Sequence, residues 1–157
     1  MLLKGIIDCD TINYKKLSMV LEFPYCNFKC DKECGRAVCQ NSALALAPSV
    51  EIAISDIIEH YLNNPLTEAI VCQGLEPFNS LGELLKFIDA FRTVCNDDIV
   101  VYTGYKKEEI YPYLEFFKRY KNIIIKYGRF IPDDEPHYDV ILGVELASSN
   151  QYAERIS

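Results

Sequence analysis

The sequence predicts one α/β domain over residues 1–157: a partial (β/α) barrel or an open parallel sheet of about five strands, with a β-hairpin at its N-terminus. Three observations predict it. From residue 54 onward, short β-branched runs alternate with apolar residues at helical spacing, which is the pattern of βαβ units. The length of 157 residues suits a single core and is too short for a full eightfold barrel. Half of the residues are hydrophobic, with eight Phe and eleven Tyr, enough to bury that core and to argue against disorder.

The elements follow in order. Gly5 to Asp10, then Asn13-Tyr14, then Leu17 to Phe23 reads as extended chain, turn and extended chain, which Pro24 ends. Residues 25–49 show little periodicity and read mostly as loop. Ile54, Ile57, Ile58, Tyr61 and Leu62 recur at helical spacing, and Asn63-Asn64-Pro65 stops that helix. Glu68 to Cys72 has the length and character of a strand. Ser80-Leu81-Gly82-Glu83 fits a capping box and opens a helix whose apolar face is Leu81, Leu84, Leu85, Ile88 and Phe91. Ile99 to Tyr102 is a strand; Ile110, Tyr113, Leu114, Phe117 and Tyr120 line a third helix; Ile123 to Ile125 and Asp139 to Leu142 are the last strands. In such folds ligands gather where the loops leave the C-terminal ends of the strands. Three unusual loops fall there: the cysteine-rich segment after Phe23, Gln73 to Pro77, and Thr103-Gly104-Tyr105.

Sixteen Lys and Arg against 23 acids leave a net charge of −7 and no long basic run, a poor match to a nucleic-acid backbone. No apolar stretch reaches membrane-spanning length, and Met1 to Lys4 lacks the shape of a signal peptide. A protein of the reducing cytoplasm, with no membrane partner, is the expectation.

Of seven cysteines, Cys26, Cys30, Cys34 and Cys39 fall within one short segment, while Cys9, Cys72 and Cys95 are scattered and read as small buried hydrophobes. In a reducing compartment such a cluster points to metal rather than disulfides. A structural zinc site favours two separated Cys-x2-Cys pairs, which this chain lacks. An iron–sulfur cluster held by three cysteines, with one iron open, fits the spacing better, and zinc remains the alternative. His60 reads as a surface or packing residue and His137 as a solvated loop residue.

Phe23-Pro24-Tyr25-Cys26-Asn27-Phe28-Lys29-Cys30, ending in Cys39-Gln40-Asn41-Ser42, resembles the cluster loop of radical S-adenosylmethionine enzymes. More narrowly, the chain is similar to the activating proteins of anaerobic (class III) ribonucleotide reductase. Asp10 to Tyr14 resembles that family's N-terminal hairpin, and Gln73-Gly74-Leu75-Glu76-Pro77 stands where it carries Gly-Gly-Glu-Pro. Val101 to Tyr105, Tyr127-Gly128-Arg129-Phe130 and Ser148 to Gln151 resemble further motifs, in the family's order, so the likeness runs from about residue 8 to residue 155. The family's usual Cys-x3-Cys-x2-Cys is altered here. Either Cys34 or Cys39 is the third cysteine, and Cys39 is preferred because Cys39-Gln40-Asn41 continues as the family's loop does. Residues 31–38 are then an insertion that carries Cys34.

The resemblance implies that Cys26, Cys30 and Cys39 bind three irons of a [4Fe–4S] cluster and that S-adenosylmethionine chelates the fourth through its amino and carboxylate groups. A flavodoxin or ferredoxin would supply an electron, giving methionine and a 5′-deoxyadenosyl radical. That radical would take a hydrogen atom from a glycine of a glycyl radical enzyme, the large subunit of anaerobic ribonucleotide reductase. Gly74, Leu75 and Glu76 are expected along the methionine part, Val38 and Gln40 at the adenine, and Thr103 and Tyr105 near the ribose or the partner's glycine loop. Asn150 and Gln151 are expected at the partner surface, and no side chain is needed as acid, base or nucleophile. Readings of other kinds are a zinc-binding interaction module, a small [4Fe–4S] electron carrier with Cys34 as fourth ligand, and a radical enzyme acting on a peptide or small molecule.

Overall fold

Four aliphatic runs, buried on both faces, make the centre of the molecule, as a parallel sheet covered on both sides requires. A computed structural model describes residues 1–157. In chain order the elements are β1 (Leu2–Leu3), β2 (Gly5–Asp10), β3 (Ser18–Phe23), α1 (Lys29–Cys34), α2 (Ser42–Leu46), β4 (Val50–Glu51), α3 (Ile54–Asn63) and β5 (Ala69–Gly74). A 3₁₀ turn (Pro77–Ser80) follows, then α4 (Leu81–Arg92), β6 (Asp98–Tyr102), α5 (Lys107–Phe117), β7 (Ile123–Tyr127), β8 (His137–Asp139), β9 (Val144–Leu146) and β10 (Tyr152–Arg155).

The main sheet has six strands in the order β10-β7-β6-β5-β3-β2. Its four inner strands are parallel, and both edges are antiparallel: β2 returns against β3 as the N-terminal hairpin, and β10 runs against β7. The sheet stays open rather than closing into a barrel. Successive parallel strands are immediate neighbours, so the right-handed crossovers put α3, α4 and α5 on the same face. There Ile57, Tyr61, Leu84, Phe87, Ile88, Phe91, Ile110, Leu114 and Phe117 pack on Met19, Leu21, Ile70, Ile99, Val101, Ile123 and Ile125.

The opposite face carries the alternate residues Val20, Val71, Val100 and Ile124. No crossover helix covers it. Tyr14, from the turn between β2 and β3, packs there with Leu142, Leu146 and Ala153. Tyr14 Oη donates to Asp98 Oδ2 at 2.9 Å, and Tyr102 Oη donates to the Asn13 carbonyl at 2.6 Å, which ties the turn down. This thin cover leaves the C-terminal end of the face open, between the cysteine segment and the β8–β9 hairpin. In-register pairing from Phe23↔Gly74 to Tyr102↔Lys126 brings the ends of all four parallel strands to that one rim.

Several local expectations are corrected. Residues 25–49, expected to be mostly loop, also hold two short helices, α1 and α2. Ser80 makes no side-chain cap on α4; Glu83, its expected partner, instead accepts from the Leu2 backbone N–H. Of the expected strand Asp139 to Leu142 only Asp139 is extended, as the last residue of β8; Val140 to Leu142 turn toward β9, held by Asp139 Oδ1 accepting from the Ile141 and Leu142 N–H groups at 2.9 Å. The strand that completes the sheet is β10. Cys72 is buried as expected, but Cys9 is exposed on edge strand β2 and Cys95 is half-buried. His60 is exposed beside Asp8 (2.6 Å), whereas His137 is half-buried in β8 rather than in a loop. No helix is long and apolar enough to cross a membrane.

Candidate metal centre

The open rim encloses a cavity of about 320 Å³, and three thiols line it: Cys26, Cys30 and Cys39. Cys26 follows directly on β3 and Cys30 sits on α1. Between them Phe28 adopts a left-handed conformation (φ 53°), which turns the chain so that its N–H donates to Cys26 Sγ at 3.2 Å. Cys39 is placed by Asp31, whose Oδ1 accepts from the Val38 and Cys39 N–H groups, both at 2.8 Å. The inserted residues between thus fold back on a carboxylate one place beyond Cys30. Cys34 ends α1 half-buried and is absent from the cavity wall.

Burial pushes the Cys26 thiol up to about 11; the Phe28 N–H opposes that shift, and Glu76, Cys39 and Cys30 add to it. Burial also raises Cys30, against the Phe130 N–H and the Arg129 charge, with Cys39 adding to the rise. Both thiols therefore sense Cys39. At neutral pH both hold their protons until a soft metal displaces them.

The second loop is held by Glu76, only 4% exposed. Its Oε1 accepts from the Phe78 N–H (3.1 Å) and the Thr103 hydroxyl (2.8 Å), and its Oε2 accepts from the Gly104 N–H (2.8 Å). One carboxylate thereby joins the ends of β5 and β6. Burial raises its pKa to about 7, against the pull of those three donors. The folded protein then holds this proton more tightly than the unfolded chain does. The associated stability is complete below about pH 4.5 and is lost as pH rises through about 7, on the order of 3 kcal/mol at most. We expect the urea midpoint of the metal-free protein to fall, relative to Glu76→Gln, between about pH 5 and about pH 7.5. A wild-type minus variant difference that is constant across that range contradicts this assignment.

Of the residues expected at the site, Gln40, Leu75, Glu76 and Thr103 line the cavity with the three cysteines. Gly74 lies behind the wall, and its carbonyl accepts from Asn41 Nδ2 at 2.7 Å. Val38 contributes its pinned N–H, with its side chain outside the lining. Tyr105 faces away: its hydroxyl donates to Asn79 Oδ1 at 2.8 Å and accepts from Asn27 Nδ2 at 2.7 Å, anchoring the loop between Cys26 and Cys30. Gln151 is buried in the wall, where its Nε2 donates to the Gly128 carbonyl at 3.3 Å. Asn150 Nδ2 donates to the Arg129 carbonyl at 2.8 Å, so both residues brace the loop after β7.

Sequence reasoning missed Asn41, Gln73 and above all Lys126. The lysine is 6% exposed and faces the cavity from β7, where its Nζ donates to the Gly128 carbonyl at 3.2 Å. Burial lowers its pKa to about 8, opposed by the charges of Glu76 and Cys30. The available signal was a single cation inside Ile-Ile-Ile-Lys-Tyr, an otherwise apolar buried strand.

No three His, Cys, Asp or Glu side chains converge closely enough to hold one metal ion. The thiols instead stand around a void, and three soft sulfurs at its wall suit an iron–sulfur cluster, in which each thiolate meets a different iron. No curated protein and no solved structure matches the chain. The profile of the 4Fe-4S single cluster domain family matches residues 17–151, from the start of β3 to the Gln151 that closes the cavity. That span covers most of the chain and every cysteine of the cavity, and the protein belongs to the 4Fe-4S single cluster domain family.

Proposed function

We propose that the protein is a radical S-adenosylmethionine activase that generates a glycyl radical on a partner enzyme, anaerobic ribonucleotide reductase. One observation carries the reading: Cys26, Cys30 and Cys39 line the cavity with Leu75 and Glu76, while Cys34 stays outside it. Three thiolates would leave one iron of a four-iron cluster without a protein ligand, and the cavity's volume is in the range of small-molecule sites. Held there by Cys26, Cys30 and Cys39, the cluster would supply the one-electron chemistry for reductive cleavage of S-adenosylmethionine.

The chain's own residues hold and enclose that chemistry. Asp31 fixes the backbone at Cys39, and the Phe28 N–H fixes Cys26. Glu76, whose carboxylate bonds go to the loop after β6 and to the 3₁₀ turn while its N–H donates to the Tyr25 carbonyl, is a positioning residue that sets Leu75 and Gln73 along the wall. Gln40 lines the cavity from the cysteine segment, the Thr103 hydroxyl donates to Glu76 and accepts from the Tyr105 N–H, and Tyr105 acts through Asn27 on the cysteine segment. Ile12 is exposed at the cavity edge and would be open to a partner's glycine loop. A flavodoxin or ferredoxin would deliver the electron.

Anaerobic reconstitution with iron and sulfide, followed by dithionite and S-adenosylmethionine, tests the reading. Formation of 5′-deoxyadenosine is the expected result. A fully loaded brown protein that yields none sinks the proposal and leaves an electron carrier.

A further inference from the structure

The helix that carries Cys30 has nothing to pack. α1 is six residues long, buries no residue and has no side-chain cap. Its position rests on charge. Lys29 and Glu33 project from it on the same side, one turn apart. Lys29 Nζ meets Glu109 Oε1 of α5 at 2.9 Å, and Glu33 Oε1 lies 3.2 Å from Arg129 Nε. Arg129 Nη2 closes the chain onto the same Glu109 oxygen at 2.6 Å. Four alternating charges thus clasp the helix to α5 and to the loop after β7. Both cations stand over the Tyr105 ring, with Lys29 Nζ at 4.6 Å and the Arg129 guanidinium carbon at 5.9 Å from its centroid.

Arg129 is more than a clasp. It is 4% exposed, and its buried Nη1 has no hydrogen-bond partner. A Cβ placed on Gly104 would lie 3.8 Å from Arg129 Cγ and 4.0 Å from Cys30 Sγ, so the arginine and the thiol flank the same gap. A buried guanidinium with a spare N–H is costly unless a negative group completes it.

We propose that Arg129 is the counter-charge of the cluster: it flanks the gap beside Cys30, and its charge makes one-electron reduction of the cluster more favourable. Reduction takes [4Fe–4S]²⁺ to [4Fe–4S]⁺ with one electron from an external donor, adding negative charge to an already anionic thiolate-bound cluster. A fixed cation beside it offsets that charge, and hydrogen bonds and net charge around the sulfurs are the protein's means of setting the potential. The inference rests on the cluster alone and not on cleavage of S-adenosylmethionine, so the two can fail independently.

The test is a spectroelectrochemical titration of reconstituted wild-type, Arg129→Gln and Arg129→Lys proteins, with iron and sulfide counted in each. In Arg129→Gln the reduction equilibrium is expected to be about tenfold less favourable, about 59 mV more negative for one electron. Arg129→Lys, which keeps the charge, is expected to stay within about threefold of wild type. Equal potentials in wild type and fully loaded Arg129→Gln overturn the proposal. If Arg129→Gln holds no cluster, Arg129→Lys decides. A loaded lysine variant with near-wild-type potential supports a role for charge, and loss of its cluster as well overturns it in favour of a purely steric role.

Discussion

Cys39→Ala is expected to lose cluster binding and 5′-deoxyadenosine formation, while Cys34→Ala keeps both. The two cysteines have the same chemistry and lie five places apart in sequence, so the contrast isolates position. Cys39 lines the cavity with Cys26 and Cys30, placed by the bond from its N–H to Asp31, whereas Cys34 ends α1 outside the wall. Removing an outer-shell partner of a metal site typically costs about 10–100-fold, and removing a ligand from a three-cysteine set should exceed about a hundredfold in product formed. Iron and sulfide content of the reconstituted variants, read beside the product assay, checks this. The reverse pattern would move the third ligand to Cys34 and require the inserted segment to refold around it.

Gly74→Ala is expected to destabilise the fold by about 3–5 kcal/mol, the sum of backbone strain and overpacking. Gly74 adopts φ +99°, and a Cβ there would lie 2.7 Å from the Phe23 backbone nitrogen and 2.9 Å from Glu22 Cα. Neither neighbour can move without breaking the β3–β5 register that ends at Phe23↔Gly74. That register carries Cys26 on one side and Glu76 on the other, so the damage falls on both walls of the site. Gly82→Ala is the control. Gly82 lies in α4 with nothing within 4 Å of its would-be Cβ, and alanine there should stabilise by up to about 1 kcal/mol. Urea denaturation of the metal-free proteins measures both; a loss below about 1 kcal/mol for Gly74→Ala contradicts the close-approach argument.

The parts of the fold that bury apolar faces were legible in the sequence, because periodicity reports burial. The helices α3, α4 and α5 and the four parallel strands fall where their apolar spacing places them. β10 was not legible. It is a short edge strand, Tyr-Ala-Glu-Arg, that buries one residue and is defined by backbone pairing to β7. The capping box at Ser80 failed because Glu83 had a tertiary alternative, the Leu2 N–H at the other end of the chain. At the site, three rim loops could be assigned to one side from strand direction alone. Which side chains enter the cavity depends on strand register and parity. Lys126 faces inward with Ile124, while Tyr127 packs among the residues under the helices. The isolated cation in β7 hinted at this; only the pairing of β6 with β7 assigns it a face.

The central claim, that three cysteines leave one iron of the cluster open to S-adenosylmethionine, is tested most directly by electron–nuclear double resonance. The dithionite-reduced protein would be measured with S-adenosylmethionine labelled at its amino nitrogen and carboxylate. The account predicts that the reduced-cluster spectrum changes on addition and shows hyperfine coupling to both labels. An unchanged spectrum from a fully loaded, reduced cluster, with no coupling to either label, would contradict it and leave the cavity as the seat of an electron-transfer cluster.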